Sequence, residues 1–217
     1  MAKVAIIGLG RQGMRCFNAL RELGVEICCI IDVDYKAVLE KLPDFPPDRI
    51  SDKAEELLLR FEPDVAVIAT NAAARLETIR NCVEAGIKKI FCEKPMSTSL
   101  SDAHEMIQIT KQADCILSVN HLRRWSPNHL KLKKLLDTGI IGELKHFYFQ
   151  SGSVGLGNVG THIIDNMRFY SGSDVKWVIG LLDETGTPNP RGTQYKDPGG
   201  WGMLMFENGT RAFLDTC

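Results

Sequence analysis

Three glycines, Gly8, Gly10 and Gly13, interrupt the chain straight after its first apolar run, in the stretch VAIIGLGRQGMRCF from Val4 to Phe17. Few backbone arrangements suit them. Their spacing is a complete G-x-G-x-x-G, with a strand pattern before it and a helical pattern after it. In such a unit the first glycine allows a tight turn, and the second lets the backbone approach a pyrophosphate. The third lets the helix pack close to the strand, and the helix N-terminus then faces the phosphates. Arg11 and Gln12, inside the loop, join the glycines as candidates for cofactor contact. The next apolar run, VEICCIIDV, ends in Asp32, about 20 residues past the loop. A carboxylate there accepts hydrogen bonds from ribose hydroxyls and repels a 2′-phosphate. It therefore favours NAD over NADP, and Asp34 adds to the repulsion while Lys36 works against it. A cluster of turn glycines with a capped strand end is the bland alternative.

Short β-rich runs and helical patterns alternate through the first half. KVAIIGL reads as a strand and Gln12 to Leu23 as a helix stopped by Gly24. VEICCIIDV, DVAVIAT, KKIFCEKP and CILSVN read as four more strands. Helices fill the intervals at about 34–42, from a Ser51 cap to Arg60, up to Glu84, and from Ser99 or Ser101 to about Gln112. This alternation predicts an α/β fold, a Rossmann-type doubly wound parallel sheet. The pattern changes after Asn120. SPNHLKLKKLLDTG reads as a helix, ELKHFYFQ as a strand, and THIIDNMRFYSG as a short helix after a glycine-rich loop. DVKWVIGLL and the pair WGMLMFE and TRAFLDT, joined by Asn208–Gly209, read as antiparallel strands. Two domains are expected: residues 1–119 as a nucleotide-binding domain, and 120–217 as a short α+β domain with an antiparallel or mixed sheet.

Composition narrows the partners. The 217 residues carry a formal net charge of −1, which gives no basic surface for nucleic acid or anionic membrane. No apolar run is long enough to span a bilayer and no leader pattern opens the chain, so a cytoplasmic protein is expected. The seven cysteines include no C-x-x-C pair, and mostly buried, reduced thiols are expected. No His/Asp/Glu spacing suggests a metal.

Glu93-Lys94-Pro95 ends the fourth of these runs, at the sheet edge where α/β folds bind ligands. On residue chemistry alone an exposed Lys–Pro turn accounts for it. A lysine so placed also suits proton donation to an oxygen undergoing redox, and X–Pro is where cis peptides occur. Glycine loop, strand-end acid and EKP, in this order, resemble the glucose–fructose oxidoreductase/inositol dehydrogenase (Gfo/Idh/MocA) family. NHLRRWSPNHLKLKKLLDTGIIGELKHFYF is similar to that family's crossover into its substrate domain. GLGNVGTHIIDNMRFYSG is similar to its active-site helix, D-x-G-x-H-x-x-D, and GGWGMLMFENGTRAFLD to its later strands.

The resemblance implies an NAD(P)-dependent oxidoreductase acting on a secondary hydroxyl or ketone of a sugar, cyclitol or nucleotide sugar. Lys94 and His162 take the places of the residues that relay the hydroxyl proton. Asp165 matches the second acid of the helix, and Thr70, Asn71, Glu93 and Asn120 fall on the cofactor side. Arg124 and Asn158 fall beside the substrate.

The chain departs from the family in three places. Asn158 stands where many members carry an aspartate, and a carboxamide cannot act as a base. This motivates a second expectation, a non-catalytic NAD(H)-binding module with a sensing or scaffolding role. ATNAAARLE offers Asn71 and Arg75 where the family often has a proline and a histidine, and Arg75 reads as a solvated helix charge with an open role. Family members usually have two full domains, about 300 residues or more. A shorter sheet leaves an open edge, so a homo-oligomer through the C-terminal strands is expected. Trp125 is expected to fill the interdomain core, with packing under the cofactor as the alternative, and Trp201 and Tyr195 are turn residues that also suit stacking on a sugar or base. His104, His129 and His146 are given no role.

Overall fold

A computed structural model describes residues 2–152, 154–183 and 196–217. The chain divides into two compact units, one ending at Asn120 and the other running from His121 to Cys217.

The first unit begins with β1 (Lys3–Ile7), α1 (Arg11–Glu22), β2 (Glu26–Ile31), α2 (Tyr35–Lys41), β3 (Ile50–Ser51) and α3 (Ala54–Phe61). It continues with β4 (Val65–Ile68), α4 (Arg75–Glu84), β5 (Lys89–Glu93), α5 (Leu100–Gln112) and β6 (Ile116–Asn120). All pairings are parallel, in the order β3-β2-β1-β4-β5-β6. This is the doubly wound sheet that the alternation predicts.

The apolar strand runs follow from burial on both faces. Successive side chains of a strand point to opposite faces. Val4 and Ile6 thus pack with Phe17 and Val38, while Ala5 and Ile7 pack with Leu57, Leu58 and Ile79. Ser51 differs from expectation: it lies in the two-residue strand β3, and α3 starts at Ala54. Ser99 supplies the α5 cap, its side chain accepting from the Asp102 N–H at 3.1 Å.

Five thiols, Cys28, Cys29, Cys82, Cys92 and Cys115, are buried in this unit, and no disulfide forms among the described residues. Burial pushes the Cys82 thiol up to about 12 and Cys92 up to about 11.

The second unit contains α6 (Pro127–Asp137), β7 (His146–Gln150), α7 (Thr161–Ser171), β8 (Val175–Asp183), β9 (Gly199–Phe206) and β10 (Arg211–Asp215). Its sheet runs β7-β10-β9-β8, parallel between β7 and β10 and antiparallel elsewhere. The Asn208–Gly209 turn joins β9 to β10, with Gly209 at φ +84°. One face of the sheet packs on α7, where Ile163 and Met167 meet Leu204, Phe206, Ala212 and Leu214. A π-helical turn, Leu156–Gly160, leads directly into α7. Trp125 sits on a short 3-10 turn, Leu122–Trp125, that has no buried member. Trp201 is on β9, and Tyr195 lies outside the described residues.

Candidate active site

In the first unit the strand order reverses between β1 and β4, and a crevice opens there beyond the carboxyl ends of the strands. A cleft of about 380 Å³ occupies it. Gly8, Gly10, Asp32, Thr70 and Asn71 line one part, and Asp52, Thr78 and Asn81 line another.

The loop glycines are required for different reasons. Gly8 has φ +89°, and a Cβ on it would lie 2.8 Å from the Thr70 nitrogen. A Cβ on Gly13 would lie 1.9 Å from the Gly8 carbonyl oxygen. Both glycines are demanded by the fold itself. Gly10 is not: a Cβ there meets nothing within 4 Å and would stand in open space beside the cleft. It is also the N-cap of α1, with no side-chain cap and no acid in the first turn. The first N–H groups of α1 are therefore open to an anion from outside the chain. Arg11 is exposed at this end, and Gln12 accepts from the Arg15 guanidinium at 2.7 Å.

Asp32 is fixed by the backbone around it. Its Oδ2 accepts from the Leu9 N–H at 2.6 Å and its Oδ1 from the Asp34 N–H at 2.9 Å. The carboxylate is thus tied to the glycine loop, and each oxygen keeps a further lone pair for the cleft. Asn71 uses its side chain locally, accepting from the Ala74 N–H at 3.0 Å.

At the neighbouring strand ends, Glu93 and Asn120 face each other across β5 and β6. The Asn120 amide donates to Glu93 Oε1 at 2.6 Å, and Glu93 is buried. Both were cofactor-contact candidates, and here they hold one another. Lys94 follows directly, half-buried, and the Lys94–Pro95 peptide is cis. Arg75 corrects the reading as a solvated charge, because it is only 3% exposed. Its guanidinium donates to the carbonyls of Glu93 and Pro95, and to that of Thr70 at 2.7 Å.

The second unit gathers its own polar group. His162 and Asp165 lie one turn apart on α7, and both are buried. Arg124 Nε donates to both Asp165 oxygens, at 2.9 and 2.7 Å. The Arg124 head group is therefore engaged inside the unit. His121 Nδ1 is 3.9 Å from Asp165 Oδ2, and its ring meets His162 edge to face at 5.7 Å.

Asn158 is in the turn before α7. Its N–H donates to Asp197 Oδ2 at 2.9 Å, and the Gly157 N–H donates to Oδ1 at 2.7 Å. No sequence pattern marks Asp197. It binds the π-helical turn that leads into the helix carrying His162, from 39 residues away, too distant for any local pattern. No group of three or more metal-ligating side chains forms among the described residues.

Residues 2–121 match the family model described as an oxidoreductase family with an NAD-binding Rossmann fold. The chain belongs to the Gfo/Idh/MocA oxidoreductase family. It is 31% identical over 142 residues to myo-inositol 2-dehydrogenase of Thermotoga maritima, covering 65% of this chain and 42% of that protein. It is 28% identical over 187 residues to D-apiose dehydrogenase of Paraburkholderia graminis, covering 78% and 50%. The structure of an Agrobacterium radiobacter oxidoreductase in complex with NAD+, L-tartaric acid and magnesium superposes with a TM-score of 0.84. That pair is 24% identical and covers 99% of this chain and 66% of the other, so it speaks for the fold. The chain spans about half the length of these two dehydrogenases. Its Gfo/Idh/MocA membership accounts for the order of glycine loop, acid and EKP.

Proposed function

We propose that this chain binds NAD in the first unit and transfers hydride between it and a secondary hydroxyl or ketone of a sugar, cyclitol or nucleotide sugar. The observation that carries the reading is Gly10. No described residue requires a glycine there, yet the position borders the cleft and caps a helix with no acid in its first turn. A pyrophosphate fits that requirement. Bound NAD would supply the hydride acceptor.

The chain supplies the rest. The first turn of α1 binds the diphosphate, and Asp32 takes the ribose hydroxyls. Asp32, Asp34 and Asp52 together disfavour a 2′-phosphate, so NAD is preferred to NADP. Lys94 and His162 move the hydroxyl proton. Asp165, held by Arg124, faces His121 beside His162 and keeps this end of α7 ordered. The relatives named for inositol and apiose dehydrogenation support a polyhydroxylated substrate.

Titration with NADH, followed by its fluorescence, tests the binding. Saturation is expected with NADH, and at least tenfold weaker saturation with NADPH; no saturable signal with either overturns the reading. A screen of sugars, cyclitols and nucleotide sugars at the NADH absorbance band tests the chemistry. In Lys94→Ala turnover should fall about a hundredfold or more while NADH still binds.

Asn158 favours a second reading, an NAD(H)-binding module without turnover, because its carboxamide cannot take a proton. NADH saturation with no substrate in the screen would select it. We also assign the protein to the cytoplasm, where buried free thiols stay reduced. No helix among the described residues is long and apolar enough to cross a membrane.

A further inference from the structure

We propose that Arg75 is a positioning residue for Lys94: its buried guanidinium ties the carbonyls on either side of the lysine to the end of β4. The proposal rests on the dehydrogenase reading for its catalytic consequence. Its geometry stands by itself.

Arg75 opens α4, at a place where a long cation would ordinarily reach water. Instead it turns inward and is 3% exposed. One nitrogen donates to Glu93 O and to Pro95 O, the carbonyls that bracket Lys94. The other donates to Thr70 O at 2.7 Å. Thr70 lines the nucleotide cleft, and its nitrogen is the atom that a Cβ on Gly8 would strike. One planar group thereby spans three backbone oxygens of two strand ends, one flanking the cleft and the other carrying the lysine.

A guanidinium suits this task for two reasons. Its donors lie in a fixed fork, so three acceptors in a plane are held with little loss of freedom. Burial of its charge is tolerated only because carbonyl dipoles surround it, and loss of the fork leaves those oxygens unsatisfied. A lysine at residue 75 keeps the charge but not the fork. Glutamine keeps one donor group and loses the charge.

The test compares wild type, Arg75→Lys and Arg75→Gln, each checked for cooperative unfolding and NADH binding. Lys94 is labelled with an amine-specific acylating reagent at fixed pH, and its rate is read by peptide mass. The proposal expects the Lys94 rate to change at least threefold in Arg75→Gln and less in Arg75→Lys, with other lysines unchanged. NADH affinity stays within threefold. If a substrate is found, kcat falls at least tenfold with KM within threefold.

An unchanged Lys94 rate in a folded Arg75→Gln overturns the proposal, whether or not the enzyme turns over. A changed rate with no turnover in wild type leaves the clamp standing and removes the dehydrogenase reading alone. If Arg75→Gln does not fold, Arg75→Lys decides by the same comparison. Wild-type protein supplies a further check: phenylglyoxal should spare Arg75 while it modifies exposed arginines, and modification at the exposed rate would overturn the clamp.

Discussion

The two units solve the same problem, covering a sheet, in different ways. In the first, helices cover both faces, and Ile6, Ile30, Ile68 and Ile90 are fully or almost fully enclosed. In the second, α7 covers one face, and Ile179, Leu181 and Trp201 stay exposed beside Tyr148 and Phe213. The sites differ to match. The first unit builds its cleft from backbone at strand ends, with Asp32 and Arg75 fixing loops. The second builds its polar cluster from side chains of α7 and of the segment that holds His121 and Arg124. A site made of backbone depends on steric exclusions, whereas one made of side chains depends on pairing, and substitutions should separate the two.

The largest effect should come from the steric side. Gly13→Ala places a methyl group against the Gly8 carbonyl, 1.9 Å from an unmoved oxygen. The loop must shift, and a loss of about 3 kcal/mol is expected from overpacking of this kind. Thermal unfolding followed by helix ellipticity measures it. Gly10→Ala meets no atom and should melt within a few degrees of wild type, yet bind NADH at least tenfold more weakly. Equal stability losses in the two variants would erase the distinction between a glycine needed by the fold and one needed by the ligand.

Next comes the alkaline response. An unfolded thiol ionises near 9.0, whereas burial holds Cys92 protonated to about 11 and Cys82 to about 12. The unfolded chain therefore sheds these protons first. The stability from the two protonated thiols is complete below 9 and is lost as pH rises from there toward 11 and 12. Each costs about 1.4 kcal/mol per pH unit in that window, so about 3 kcal/mol at pH 10. The second unit has only the exposed Cys217, and it holds all three tryptophans, Trp125, Trp177 and Trp201. Urea midpoints read by ellipticity should fall more steeply between pH 8.5 and 10 than those read by tryptophan fluorescence. Parallel slopes would contradict the contrast.

The contrast also governs what could be read from the sequence. The glycine loop and the strand-end Asp32 were legible because a tight strand-to-helix turn imposes local spacing, and local spacing is what a sequence displays. The parallel sheet was legible because burial on both faces leaves unbroken apolar runs such as AIIG and ICCII. Strand β3 was not, since two residues, Ile50 and Ser51, carry no periodicity. Arg75 and Asp197 were hidden for a deeper reason. Each acts on backbone groups, carbonyls for one and N–H groups for the other, and a backbone group has the same identity in every residue. Lys94 and His162 stood out through family resemblance.

A smaller effect is expected on the pairing side. Asp165→Asn keeps the shape of the side chain but removes the charge that holds Arg124. Arg124 is about one-third exposed, so water recovers part of the loss, and about 2 kcal/mol is expected. Tryptophan-monitored urea unfolding measures it. NADH affinity should stay within twofold, because the cleft proposed for the nucleotide is lined entirely by the first unit. A loss of NADH binding equal to that of Gly10→Ala would show that the two sites are not independent.

The smallest stability effect carries the largest change in association. Among the described residues strand β8 ends its sheet, and Val178, Ile179, Leu181 and Leu182 are each at least 60% exposed. An edge of this length, with apolar side chains on both faces, is a template for another chain. A second copy is our proposed occupant. Ile179→Lys adds a charge where the side chain touches water already, so unfolding should change by no more than about 0.5 kcal/mol. Self-association, read by sedimentation at micromolar concentration, should weaken at least tenfold. Wild-type protein that sediments as a monomer would mean that the bare face is tolerated as it stands. The difference between the units would then be one of solvent exposure alone, with no bearing on assembly.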